Sequence, residues 1–248
     1  MRVYRLPDGE EVARRASATT AEIAREAVAQ RGRFAIALAG GDTPRRMYQR
    51  LSTESSVDWS KVEFFWGDER AVPPDHPDSN YGMAHAALLG PLGIDARRIH
   101  RIAAERGDPA AAALDYENEV ALIVGGTPGG PPPQLDLVLL GMGADGHTAS
   151  LFPHTRALWE TRRWYVANDA PGLAARRVTA TFVLLERARA VLFLVTGEPK
   201  AAALAEVLAG PWDPERLPSQ RLRARAGRVD WFVDAAAASR LRDSHFEA

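Results

Sequence analysis

Two residues in one turn carry the first chemical suggestion of this chain. Asp145 and His147 stand two apart in GMGADGHTASLFP (residues 141–153), directly after the apolar run LDLVLL. An imidazole in such a turn is suited to general-base work. Thr148 and Ser150 are expected to open a short helix. Its positive end would keep the ring neutral and able to accept a proton, while Asp145 acts in the opposite sense. The remaining histidines have no comparable setting, and no His/Asp/Glu cluster has metal-ligand spacing.

The same turn also satisfies G-x-G-x-x-G through Gly141, Gly143 and Gly146. A dinucleotide site requires an acidic residue about 20 positions onward, at the end of the next strand. That window holds WYVAN (164–168), with Asp169 only marginally placed. Asp145 would moreover sit where a pyrophosphate belongs and repel it. The match is a decoy, and no cofactor is expected.

A third signal is lysine usage. Only Lys61 and Lys200 are lysine among 31 basic residues. Lys200 follows VTGE and falls in the first turn of an expected helix, where a cation costs a few tenths to about 1 kcal/mol. A bound anion such as phosphate would offset that cost. Arg177, beginning a strand, is a second candidate phosphate contact; in so arginine-rich a chain, plain surface placement competes with it. There is no G-x-S-x-G elbow and no cysteine, so no acyl-enzyme nucleophile is in view. A base, carboxylates and an anion clamp suit attack by activated water on a sugar phosphate.

These residues need strands to hold them. Apolar runs at 34–39, 62–66, 135–140 and 191–195 stop in GGDTP, GDER, GMGADGHTAS and TGEPK. In a parallel sheet such strand ends share one edge, where ligands bind. Asp42, Thr43, Asp68, Arg70, Asp145, His147 and Lys200 would then converge. Helices are expected over 19–30, after Thr43 (as N-cap, with Pro44 first in the helix), over 79–89, over 108–124, and after Asp234. Further strands are expected at 3–6, 98–102, 164–167, 177–184 and 229–233, and residues 125–134 read as a connector. The alternation predicts an α/β fold with an open, mainly parallel, Rossmann-like sheet and helices on both faces, in a single domain over residues 1–248.

Bulk properties fit that reading. The 248 residues are 46% hydrophobic and 25% charged, enough for a full core and an ordinary polar surface. A net charge of −1 gives no field for nucleic acid or an anionic membrane. The N-terminal segment MRVYRLPDGEEVARR lacks an apolar signal core, so the cytoplasm is the expected location.

Several ordered motifs, LAGGDTP (38–44), WGDERAVPPDHPDSNYG (66–82), GMGADGHTASLFP (141–153), RRVTAT (176–181), VTGEPK (195–200) and VDWFVDAAAA (229–238), resemble the 6-phosphogluconolactonases. That family shares its superfamily with glucosamine-6-phosphate deaminases. The resemblance covers nearly the whole chain. It implies hydrolysis of 6-phospho-D-glucono-1,5-lactone in the oxidative pentose phosphate pathway, without metal or organic cofactor. His147 would be the base, and Arg70, Arg177 and Lys200 would line the pocket, with Lys200 and Arg177 on phosphate. Gly41 and Thr43 would lie in the ligand loop, and Asp68 and Asp145 would orient partners or sugar hydroxyls. Asp42 departs from the pattern, because relatives often carry serine there. Deaminases place a glutamate five residues after the histidine, where this chain has Phe152. A sugar-phosphate sensor on the same fold usually carries a helix-turn-helix extension, for which a strand at 3–6 leading directly into the α/β pattern leaves no room; a non-catalytic sugar-phosphate-binding protein stays open as an alternative. A small sugar phosphate is the expected partner, with neither nucleic acid nor membrane, and the chain is expected to act as a monomer or weak dimer.

Overall fold

Wholly apolar strands set the architecture of this protein, described here from a computed structural model over residues 1–169, 175–223 and 227–247. Nine strands form: β1 (Arg2–Leu6), β2 (Phe34–Leu38), β3 (Val62–Trp66), β4 (Asp68–Arg70), β5 (Leu137–Leu140), β6 (Tyr165–Asn168), β7 (Arg177–Ala180), β8 (Ala190–Val195) and β9 (Arg228–Asp234). β2, β5 and β8 are buried at every residue. Strands covered on both faces read as unbroken apolar runs, which is how parallel sheets are built.

Six strands make one parallel sheet in the order β1-β9-β8-β5-β2-β3. Four of them, β8, β5, β2 and β3, are contiguous, and they are the strands that end in TGEPK, GMGADGHTAS, GGDTP and GDER. The α-helices are α1 (Gly9–Arg31), α2 (Asp42–Leu51), α3 (Asn80–Ala84), α4 (Pro109–Val124), α5 (Phe182–Leu185), α6 (Ala201–Ala209) and α7 (Gln220–Arg223). The mainly parallel α/β expectation holds. A second sheet was not expected: β4, β7 and β6 form a three-stranded antiparallel sheet. β4 leaves β3 after only Gly67, so the chain passes from one sheet to the other beside the site.

Several local expectations are corrected. α1 starts at Gly9, ten residues early, because Asp8 accepts hydrogen bonds from the Glu10 and Glu11 amides. Its first half buries small residues, Ala13, Ala16, Ser17, Thr19 and Thr20, which give no large-apolar periodicity. α2 starts at Asp42 with Gly41 as its cap at φ 104°, and the Thr43 hydroxyl bonds Thr196 Oγ1 at 2.7 Å instead of capping. Ser79 does cap α3, accepting from the Gly82 amide, but α-helix gives way to a π-helical turn over His85–Leu89. The expected strand at 98–102 is reduced to a single bridge from Ile99 to Phe64 after a 3-10 turn. β7 ends at Ala180, since the Thr181 hydroxyl turns to the Arg163 carbonyl and α5 begins.

The final helix is absent. Asp234 accepts from the Ala237 amide at 2.7 Å, but its carboxylate is shared with the Gly197 amide. Residues 235–240 close as successive turns of mixed length. A stretch this short, with no regular ladder, does not offset the cost of helix nucleation.

Candidate active site

At the C-terminal edge of the parallel sheet lies a cavity of about 300 Å³ whose titratable lining is Asp68, Arg70, His147 and Lys200. β4 brings the first pair, the turn after β5 brings His147, and the turn after β8 brings Lys200. A broader depression of about 580 Å³ lies alongside, but its charged lining (Arg45, Asp75, His76 and His85) is exposed at a solvent-facing rim. The smaller cavity is the candidate site, because His147 in its lining is bonded side chain to side chain with a carboxylate.

That pair is close: His147 Nδ1 lies 2.6 Å from Asp145 Oδ1, which also accepts from the His147 amide at 3.2 Å. An ionised carboxylate can only accept, so Nδ1 carries the hydrogen of this bond, and in the neutral ring it is Nε2 that has the lone pair. Burial pushes the Asp145 carboxyl up, but the bonds and charge of His147 outweigh it and bring its pKa down to about 2. The Phe152 ring packs 4.6 Å from the imidazole, centroid to centroid.

Backbone geometry explains the glycines of this turn. A Cβ at Gly143 would lie 2.1 Å from His147 Nδ1 and 2.3 Å from Asp145 Oδ1. Gly146 adopts φ 80°, and a Cβ there would meet Leu217 at 2.5 Å. The turn is closed by the Gly143 amide donating to the His147 carbonyl at 2.8 Å, and by the Ser219 amide donating to the Gly146 carbonyl at 3.0 Å. No helix follows His147. Ala149 takes φ 47°, which an L-residue helix does not accommodate, and residues 148 and 151 meet in an isolated bridge. The expected helix end is therefore corrected, and the ring's side-chain hydrogen-bond partner is the carboxylate of Asp145.

Of the other residues singled out by sequence, Gly41 lines the cavity with Asp68, Arg70 and Lys200. Asp42, Thr43, Asp145 and Arg177 stand outside its lining. Asp42 is exposed and pairs with Arg45 at 3.1 Å. Arg177 lies directly opposite Arg70 in the β4–β7 register, and burial, followed by the Arg70 charge, lowers its pKa. The Arg70 guanidinium donates to the Asp78 carbonyl, while its buried Nε has no partner among the described residues. Two cations facing each other, one with a free donor, form a place suited to an anion.

Asn80, Gly40, Met142 and Ala149 also line the cavity and went unnoticed in the sequence. Asn80 donates to the Asp68 carbonyl at 2.8 Å, and a Cβ at Gly40 would strike the Asn80 amide at 1.8 Å. The available signal was the first glycine of GGDTP, Gly40, which has no left-handed φ to require it. Glu69, pointing away, accepts from the Asn80, Tyr81 and Arg70 amides and from Ser79 Oγ, fixing the start of α3. No group of three or more His, Asp or Glu able to hold a metal occurs among the described residues.

Residues 7–231 match the family model described as glucosamine-6-phosphate isomerases/6-phosphogluconolactonase. A 6-phosphogluconolactonase of Synechocystis is 42% identical over 217 residues, covering 88% of both chains. One from Mycobacterium tuberculosis is 41% identical over 221 residues, covering 87% of this chain and 88% of its own. Among solved structures, the 6-phosphogluconolactonase of Trypanosoma brucei superposes with a TM-score of 0.86 at 29% identity, over 97% of this chain and 98% of its own. A monomeric glucosamine-6-phosphate deaminase shares the fold, with a TM-score of 0.81 at 22% identity over 97% of this chain and 100% of its own. With its parallel sheet, its Asp-Gly-His turn and this coverage, the chain belongs to the glucosamine-6-phosphate isomerase/6-phosphogluconolactonase family.

Proposed function

We propose that this protein hydrolyses 6-phospho-D-glucono-1,5-lactone to 6-phosphogluconate, as a cytoplasmic monomer or weak dimer in the oxidative pentose phosphate pathway. The carrying observation is the 2.6 Å Asp145–His147 pair, whose imidazole shares one small cavity with Lys200 and Arg70. Relatives that cover nearly the full chain carry the lactonase name.

In the reaction, His147 Nε2 takes a proton from water as the water oxygen bonds to the C1 carbonyl carbon. Asp145 stabilises the imidazolium formed. When the tetrahedral intermediate collapses, the bond from C1 to the ring oxygen breaks, and that oxygen receives the proton from Nε2. Positioned general-base catalysis of this kind contributes about 10²–10⁴-fold. Lys200 and Arg70 hold the phosphate, Arg177 adds its charge from behind Arg70, and Gly41 and Thr43 shape the loop beside it. Asp68 takes a sugar hydroxyl. Asp42, paired with Arg45, stays off the phosphate.

Deamination is disfavoured at one residue. Phe152, 7% exposed and packed on His147, occupies the position where a carboxylate would complete an Asp-His-Glu set. The test is acid release from freshly made lactone, followed at constant pH above the spontaneous rate. His147→Ala is expected to lower kcat by about 10²–10⁴-fold with the fold intact. Lys200→Ala is expected to raise KM chiefly; an unchanged KM removes Lys200 from the phosphate. Ammonium release from glucosamine 6-phosphate in place of lactone hydrolysis would reject the reading.

A further inference from the structure

Ser150, three residues past the candidate base, is 2% exposed, and each of its polar groups is bonded to a different strand of the small sheet. Its hydroxyl donates to Asp68 Oδ2 on β4 at 2.6 Å, and its amide donates to Thr179 Oγ1 on β7 at 3.1 Å. Its carbonyl accepts from Asn168 Nδ2 on β6 at 2.8 Å. The residue before it, Ala149, lines the cavity in the left-handed region at φ 47°. A non-glycine residue keeps that conformation only where its surroundings over-determine it. The three bonds of Ser150 supply that constraint.

The consequence falls on Asp68. Its main-chain carbonyl is held by the Asn80 amide at 2.8 Å, and the same amide lies 3.5 Å from Oδ1. With Oδ2 committed to Ser150, Oδ1 is the oxygen left with acceptor capacity for the cavity that Asp68 lines. We propose that Ser150 is a positioning residue. It sets the His147 turn in register with Asp68, so that Oδ1 accepts a ring hydroxyl of a polyhydroxylated lactone while Nε2 faces the carbonyl carbon. The assignment rests on the hydrolase reading above and extends it to substrate selection. Ser150 touches no substrate itself; it acts through Asp68, to which it ties the turn.

A double-mutant cycle on lactone hydrolysis tests this, using wild type, Ser150→Ala, Asp68→Asn and the double variant. Ser150→Ala is expected to lose about tenfold or more in kcat/KM, and the double variant to fall no further than about twofold below Asp68→Asn. Inhibition by inorganic phosphate, which reports on Arg70 and Lys200, is expected to be equal in wild type and Ser150→Ala. Ser150→Cys is nearly isosteric with a weak donor and carries the same comparison should the alanine variant be unstable. Losses that multiply in the double variant overturn the proposal, as do wild-type kcat/KM in Ser150→Ala or weakened phosphate inhibition. If the wild type does not accelerate lactone hydrolysis at all, the functional reading fails separately. Calorimetric titration with 6-phosphogluconate then decides for Ser150: weaker binding by Ser150→Ala supports its role, and equal binding overturns it.

Discussion

A methyl group at position 143 would take the space occupied by the Asp145–His147 pair. The 2.1 Å and 2.3 Å approaches are to the two bonded atoms themselves, so Gly143→Ala must move the imidazole or its carboxylate. Displacing a reacting group by about 1 Å costs on the order of 10²-fold in rate. The expected outcome is such a fall in kcat with little change in thermal midpoint; an alanine variant of full activity would show that the turn does not hold the pair this closely. The Asp145 carboxylate stays ionised over the useful pH range. Asp145 has its pKa lowered, so its contribution is present above the ordinary carboxylate range and is lost only as pH falls through about 2. At this scale the sequence was readable where residue type was unusual, in Asp145, His147 and Lys200. It was opaque for Asn80 and Ser150, because their importance lies in which strands they join.

Among elements, β3 and α4 are linked by a buried histidine. His100 Nε2 lies 2.9 Å from Glu63 and Nδ1 lies 3.0 Å from Glu119, with Phe65 stacked on the ring and Arg98 on the far oxygen of Glu63. Burial pulls the imidazole pKa down, yet the bonds and charges of Glu119 and Glu63 more than offset it, leaving it above the ordinary 6.5. A raised histidine stabilises the fold fully below that value, and the contribution disappears as pH rises through the folded pKa. Thermal melts from pH 6 upward should therefore show a midpoint decline that flattens in His100→Gln; identical slopes would exclude the link. Of the elements, the long apolar strands could be read directly from composition. The small sheet could not, since β4, β6 and β7 have three or four residues each and β4 pairs with β7 more than 100 residues away in sequence. The alanine-rich tail shows the reverse error, where helix propensity without room for a ladder predicts a helix that does not form.

For the whole molecule, one fully buried carboxylate joins regions that the sequence kept apart. Glu117 on α4 accepts from the Gly129 amide in the 125–134 connector, from Arg163 Nε, and from the Trp164 and Tyr165 amides entering β6. The glycine- and proline-rich segment is therefore anchored, with its tip against Trp164. Glu117→Ala would strand several buried donors and should cost about 3 kcal/mol or more. Urea unfolding would measure this as a lower midpoint at unchanged slope, and a loss within about 0.5 kcal/mol would refute it.

The strand order carries one further consequence, for synthesis. β1 sits at the sheet edge with β9 as its sole strand partner, residue 2 opposite residue 230, and the Arg2 guanidinium bonds the buried Asp230 carboxylate. During translation β1 has no strand partner in this sheet until β9 leaves the ribosome. The segments between can assemble in the meantime, because β2, β3, β5 and β8 pair among themselves. Since those four strands carry the loops of the site, the catalytic edge can take shape on the nascent chain before the sheet is closed at its far side.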